Sequence, residues 1–309
     1  MTDIIYIDRL TGQKKVEKVY KGKALSLLYG DKWYNRLLGC ALLPLVAKRS
    51  LFSSLYGFLQ KRPFSAKKIN PFIKTFEVDA SEFLEPVSQF RSFNDFFIRR
   101  LQPKARPLAA GDDIAVMPAD GRYYFYQDID QCEGFIVKGK KFDLSALLGS
   151  ETLAQAYSGA SMVMARLCPS DYHRFHFPCD CRPGQTALIN GHFYSVNPLA
   201  VKKNLHIFTE NKRTLCELET RAFGRVLYLE IGATNVGSIQ ETYTPFKWHV
   251  KGEEKGYFEF GGSSLILLFP KGAIQFDADL LEATQQGFEM RCLMGQRMGR
   301  RLISPNHLL

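Results

Sequence analysis

Long apolar stretches are missing from this chain of 309 residues. The run from Leu37 to Ala47 spans 11 residues and is broken by Pro44, whereas a bilayer-crossing helix needs about 20 apolar residues. The first 30 residues hold Asp3, Asp8, Arg9, Lys14, Lys15 and Lys18 and no apolar core segment. No secretory signal is expected from that pattern, and the acidic residues speak against a mitochondrial presequence. Cysteine occurs as 7 scattered residues, an odd number, which excludes a small disulfide scaffold and predicts reduced thiols in the cytosol. There is no internal repeat and no low-complexity tract, and an apolar fraction of 46% excludes a disordered chain.

What is present is unevenly charged. The net charge of +10 lies wholly in the first third: through residue 110 there are 20 Lys and Arg against 9 Asp and Glu, a net of +11, and the remainder sums to −1. In that third, Trp33, Tyr34, Leu37, Leu38, Leu42, Leu43, Leu45 and Val46 lie among Lys32, Arg36, Lys48 and Arg49, and Leu51 to Leu59 precede Lys61 and Arg62. Basic flanks around an aromatic-aliphatic face suit a helix lying in the membrane interface, drawn to anionic lipid by roughly 1 kcal/mol per cation. The same residues also suit a helical layer packed on the protein's own core. Nucleic-acid binding is a weaker third reading, since no recognisable module accompanies the charge.

The texture changes near residue 110. Before it, Ile4–Ile7 and Lys15–Tyr20 read as a strand pair, and Lys32–Leu43, Leu51–Leu59, Ala66–Phe76 and Ser92–Arg99 read as helices, the last with Ser92 as its N-cap. After it, turns at Asp120-Gly121, Lys138-Gly139, Pro183-Gly184 and Asn190-Gly191 separate short runs such as Gly121–Tyr126, Thr186–His192 and Val226–Ile231, the spacing of a compact β domain. Ser145–Leu148 and Glu151–Tyr157 are the helical exceptions. The expected class is α+β: a basic, helical, membrane-facing region over 1–110, then a β-rich catalytic domain over 111–309.

Three short motifs carry chemistry. Gly261-Gly262-Ser263-Ser264 precedes an apolar run from Leu265 to Phe269 that Pro270 ends. Alone it reads as a turn before a core strand. Pro169 to Pro178 places His173 and His176 three apart, and Pro118 to Arg122 places Asp120 before a turn glycine. Aspartate, histidine and serine can form a proton relay in any chain order. A metal site built from the two histidines with Cys179 or Cys181 lacks a second paired cluster, so none is expected. His192, His206, His249 and His307 receive no role.

These motifs, with Phe93 to Leu101, Val137-Lys138-Gly139, Tyr194 to Asn197 and Ile231 to Ile239, make the chain resemble the phosphatidylserine decarboxylases, self-processing pyruvoyl enzymes. The likeness runs from about residue 30 to about residue 285. Many members carry Leu-Gly-Ser-Thr where this chain has Gly-Gly-Ser-Ser. The resemblance implies that Asp120 and His176 activate Ser263, whose hydroxyl attacks the Gly262 carbonyl, with Ser264 the alternative nucleophile. Fragments 1–262 and 263–309 would stay together, and Ser263 would become a covalent pyruvoyl group, so that no pyridoxal phosphate or metal is needed. That group would form a Schiff base with phosphatidylserine, and His173 would return a proton after CO2 leaves, giving phosphatidylethanolamine. Arg166 and Arg174 are the nearest phosphate donors in sequence. The implied setting is peripheral, on an anionic membrane surface at the cytoplasmic face of the cell membrane, as a homodimer and without nucleic acid. Two rivals remain at this level: an Asp–His–Ser hydrolase of lipid esters, and a non-catalytic membrane-binding module.

Overall fold

The computed structural model describes residues 4–20, 57–131, 143–192, 194, 196, 207–232, 239–261 and 263–302. The helix expected over Lys32–Leu43, most of that over Leu51–Leu59, Val137 to Gly139 and Gly262 lie outside them. The chain opens with a hairpin of β1 (Ile5–Asp8) and β2 (Lys14–Val16), whose turn is closed by the Asp8 carboxylate accepting from the amides of Leu10 and Thr11. A 3-10 turn over Pro63–Lys68 leads into α1 (Ile69–Phe76). The N-cap expected at Ser92 is present: its hydroxyl accepts from Asp95 N–H at 3.1 Å and starts α2 (Phe93–Phe97), which stops two residues short of the expected end. Ile69 and Phe72 of α1 and Phe93, Phe96 and Phe97 of α2 pack with Phe83, Phe90 and Phe260 into one aromatic cluster.

Beyond residue 110 strands dominate. They are β3 (Ile114–Val116) and β4 (Gly121–Tyr126), then, after the short helices α3 (Leu144–Leu148) and α4 (Glu151–Ala156), β5 (Ser161–Leu167), β6 (Arg174–His176), β7 (Cys181–Pro183) and β8 (Ala187–Ile189). One turn of helix, α5 (Ile207–Glu210), precedes β9 (Arg213–Thr220), β10 (Gly224–Gly232), β11 (Ile239–Glu241), β12 (Glu254–Phe258), β13 (Ser263–Phe269) and β14 (Ile274–Phe276). The chain finishes with α6 (Ala278–Gln285), β15 (Glu289–Cys292) and β16 (Arg297–Arg301). The α+β class therefore holds, and among the described residues no helix is long and apolar enough to cross a membrane.

Among the described residues the main sheet runs β2-β1-β15-β4-β5-β13-β10-β9-β7, with β8 also on β9. The β1–β15 pair is parallel and the others are antiparallel. β13 lies between β5 and β10, and all seven of its residues are buried. Its sequence is apolar without alternation because both faces are covered. Leu265, Leu267 and Phe269 enter one core cluster with Val163, Tyr228 and Phe177. Ile266 and Leu268 enter another with Met162, Leu227 and Leu229. Each such side chain contributes about 1.5–3 kcal/mol by leaving water, so the strand that begins with Ser263 is anchored along its length.

Candidate active site

The sheet register brings the motifs to one end. Arg122 pairs with Arg166, Arg166 with Ser264, and Ser264 with Ile231. Ser263 therefore lies one residue nearer the strand start, between Leu167 and Gly232. Asp120 immediately precedes β4, two strand spacings away, or about 10 Å. Its neighbour is a glycine in a tight place: a Cβ on Gly121 would stand 3.0 Å from the Arg166 carbonyl oxygen.

Alternation then separates the two serines. Ser263 shares a face with Leu265 and Leu267, in the cluster that also holds Phe175 and Phe177, the residues flanking His176. Ser264 faces the opposite cluster with Ile266 and Leu268. Both hydroxyls are buried without a hydrogen-bond partner, an arrangement that costs about 1–3 kcal/mol each.

The histidines belong to a smaller sheet, β11-β12-β6. It packs on the Ser263 side, where Phe175 meets Tyr228 and the Tyr228 hydroxyl donates to His176 O at 3.5 Å. β12 can pass there because residue 256 is glycine, since a Cβ would sit 2.2 Å from Gln240 O. His176 donates its backbone N–H to Pro118 O at 2.8 Å, and its ring Nδ1 faces the same oxygen at 3.3 Å. A carbonyl only accepts, so the Nδ1 hydrogen is required and Nε2 carries the lone pair. Burial lowers the His176 pKa to about 4, against the opposing pull of Glu254 and Asp120. The ring is neutral at pH 7, as a general base must be.

Asp120 acts on His176 through its charge, and no hydrogen bond joins them. The carboxylate instead accepts from Arg106, whose Nε lies 2.9 and 3.1 Å and Nη2 2.6 Å from its oxygens, and from Met294 N–H at 2.8 Å. Arg106 also binds Glu82. His173 is fully buried. Its Nδ1 donates to Asp171 O at 2.9 Å, its ring lies 3.8 Å from that of Phe97, and its Nε2 has no partner. Burial lowers its pKa to about 4 as well.

Neither arginine nearest the histidines in sequence is unengaged. Arg174 binds Glu254 and the Ile98 carbonyl, and Arg166 binds Glu17 and Glu289. Among the described residues no group of three or more His, Cys, Asp or Glu could hold a metal ion. Sequence reasoning missed Arg106, Arg99, Asp171 and Phe97. Three of these lie inside stretches already singled out, Phe93 to Leu101 and Pro169 to Pro178, where the histidines drew the attention. Arg106 had no local signal.

Comparison with known proteins gives the family. The family model described as phosphatidylserine decarboxylase matches residues 93–300. The phosphatidylserine decarboxylase proenzyme of Chlamydia felis (strain Fe/C-56) is 52% identical over 302 residues, covering 98% of this chain and 99% of that protein. The proenzyme of Chlamydia pneumoniae is 49% identical over 96% of each chain. That of Chlamydia trachomatis serovar D is 41% identical, covering 98% of this chain and 99% of its own length.

Proposed function

The chain belongs to the phosphatidylserine decarboxylase family, and we propose that it converts phosphatidylserine to phosphatidylethanolamine and CO2 at a pyruvoyl group made from its own Ser263. The observation that carries this reading is the Ser263 hydroxyl: buried, without a partner, at the first residue of a central strand, on the face shared with the histidine segment. A group at this position needs no other ligand to hold it, because β13 itself holds it. The pyruvoyl carbonyl supplies an acceptor for the substrate amine and a sink for the electrons left as CO2 departs.

The chain's own residues do the rest. His176 Nε2 takes the Ser263 proton while the charge of Asp120 favours the imidazolium that results. The Ser263 oxygen bonds to the Gly262 carbonyl carbon, and the C–N bond between them breaks to leave an ester and a free amine. Elimination then removes the residue 263 Cα proton and breaks its Cβ–O bond, releasing the Gly262 carboxylate and leaving dehydroalanine; its imine tautomer adds water and loses ammonia, which leaves the keto group on residue 263. Ser263 is favoured over Ser264 because its face is the one that meets Phe175 and Phe177, the chain neighbours of His176. His173 Nε2, a buried lone pair, accepts a proton from the reactants and returns it to the substrate α-carbon. The basic first third, residues 1–110, holds the β-rich catalytic region against anionic lipid at the cytoplasmic face, as a peripheral protein.

Intact mass of the purified protein tests the chemistry. Two fragments meeting at 262/263 are expected, the smaller with a keto-acyl end, together with CO2 release from phosphatidylserine vesicles. Active protein in which the chain is uncut and Ser263 survives would overturn it. Co-sedimentation with phosphatidylglycerol vesicles, weakened when Lys32, Arg36, Lys48 and Arg49 are replaced by Gln, tests the membrane assignment.

A further inference from the structure

Asp171 is fixed at each of its polar groups. Its N–H donates to Cys168 O at 2.8 Å, its carboxylate accepts from Cys168 N–H at 2.8 Å, and Arg122 Nη1 lies 2.9 Å from both carboxylate oxygens. Its carbonyl accepts twice, from His173 Nδ1 at 2.9 Å and from Arg99 Nη2 at 3.2 Å. Arg99 also donates to Ser170 O at 3.0 Å and to Phe96 O at 3.5 Å.

Arg99 itself is unusual. It is 4% exposed, and every hydrogen bond it makes goes to a backbone carbonyl. Buried guanidinium groups ordinarily meet a carboxylate; this one lies over the rings of Phe83 and Phe96, 5.1 and 4.9 Å from their centroids. Burial lowers its pKa to about 10, which leaves it charged at pH 7. Its charge also disfavours a proton on His173. Two residues earlier, Phe97 covers the imidazole. The exit of α2 thus supplies both the ring that packs on His173 and the cation that holds the carbonyl behind it.

We propose that Arg99 and Asp171 are positioning residues for His173: the Arg99 guanidinium and the Arg122-clamped Asp171 fix one carbonyl so that His173 carries its hydrogen on Nδ1 and keeps Nε2 as the free, aimed base. The proposal rests on the role given above to His173. It makes Arg99 matter for proton return during turnover and not for self-cleavage, which uses His176.

The test reads the tautomer directly. In uniformly 15N-labelled wild-type protein, with the His173 signals identified by their loss in His173→Asn, the ring must show protonated Nδ1 and unprotonated Nε2 at pH 7. A proton on Nε2 overturns the proposal with no variant needed. In Arg99→Gln, cleavage at 262/263 should go to completion, kcat should fall by about 10- to 100-fold with KM within about twofold, and the single tautomer should become a mixture. Arg99→Lys should recover part of kcat. An Arg99→Gln protein with the wild-type tautomer and kcat also overturns it. Should Arg99→Gln fail to fold, the wild-type spectrum and Arg99→Lys decide. If wild-type protein releases no CO2 from phosphatidylserine while the Nδ1–H tautomer is present, the functional reading fails and the positioning geometry stands. An Nε2–H tautomer in fully active protein fails the positioning alone.

Discussion

Ser263 and Ser264 are adjacent, equally buried and equally without partners, yet they face two different chemistries. Behind Ser263 lies an aromatic layer of Phe175, Phe177 and Tyr228, the first two flanking His176 in the chain. Ser264 pairs across the sheet with Arg166, whose donors are engaged by Glu17, Glu289 and Cys168. Arg122, in the same row, binds Asp171 and stands over the Tyr6 ring. One face thus meets the aromatic layer of the histidine segment, and the other the cross-strand row of Arg166 and Arg122. A hydroxyl becomes a nucleophile only where something can take its proton. On the proposed reading, strand parity, more than the identity of the residue, decides which serine reacts.

The strongest attempt to break it exchanges the two positions. Ser263→Ala should abolish both cleavage and decarboxylation, whereas Ser264→Ala should still give two fragments on a denaturing gel. An uncut Ser264→Ala chain beside a cleaved Ser263→Ala chain would reverse the assignment. Within the histidine face the effects should divide. His176→Ala or Asp120→Asn should block cleavage. His173→Ala should cleave and then turn over about 10²- to 10⁴-fold more slowly, read as CO2 release per cleaved chain.

Acid separates the histidines from the ion pairs by a smaller margin. Both histidines have folded pKa values of about 4 against an ordinary 6.5. Between those values the unfolded chain binds protons that the folded one refuses, so stability falls as pH drops from about 6.5 towards 4, by on the order of 3 kcal/mol per ring. At the ion pairs, burial raises Glu17 and Asp171, but the guanidinium groups of Arg166 and Arg122 outweigh it and leave both below their ordinary 4.5 and 3.8. Their contribution is present above those ordinary values and is lost as pH falls through and below them. Urea midpoints of the uncut Ser263→Ala chain, measured from pH 7 to pH 3, should therefore decline in two stages. Replacing both His173 and His176 by Gln should remove the first stage and leave the second.

Much of this could be read before any coordinates. The apolar run after Ser264 is β13, the Gly121–Tyr126 alternation is β4, and Ser92 caps its helix. Those features are local: a period, a breaker, a cap. What could not be read is long in sequence and short in space. Arg99 meets Asp171 across 72 positions, Arg166 meets Glu17 across 149, and β1 pairs with β15 from opposite ends of the chain. Lys255 would be taken for a solvated charge by type. It is wholly buried, 2.6 Å from Glu230 and 3.3 Å from Glu241, because it stands on β12 of the small sheet and reaches Tyr228 and Glu230 of the main one. Parity, too, needs register: until β13 is set against β5, nothing distinguishes the face of Ser263 from that of Ser264.

The mildest test of the comparison is thermodynamic and concerns Ser264 alone. Its hydroxyl is desolvated without compensation, and its neighbours on that face are Ile266 and Leu268. Removing the oxygen deletes an unsatisfied group and leaves only a small void. Ser264→Ala, made on the Ser263→Ala background so that chain cutting does not intervene, should raise stability by about 1 kcal/mol, seen as a higher urea midpoint at unchanged slope. Ser263 was already altered in that background, so the gain belongs to the second serine. A loss of about 1 kcal/mol instead would mean that the Ser264 hydroxyl has a partner after all, and that the ion-paired face is not closed to it.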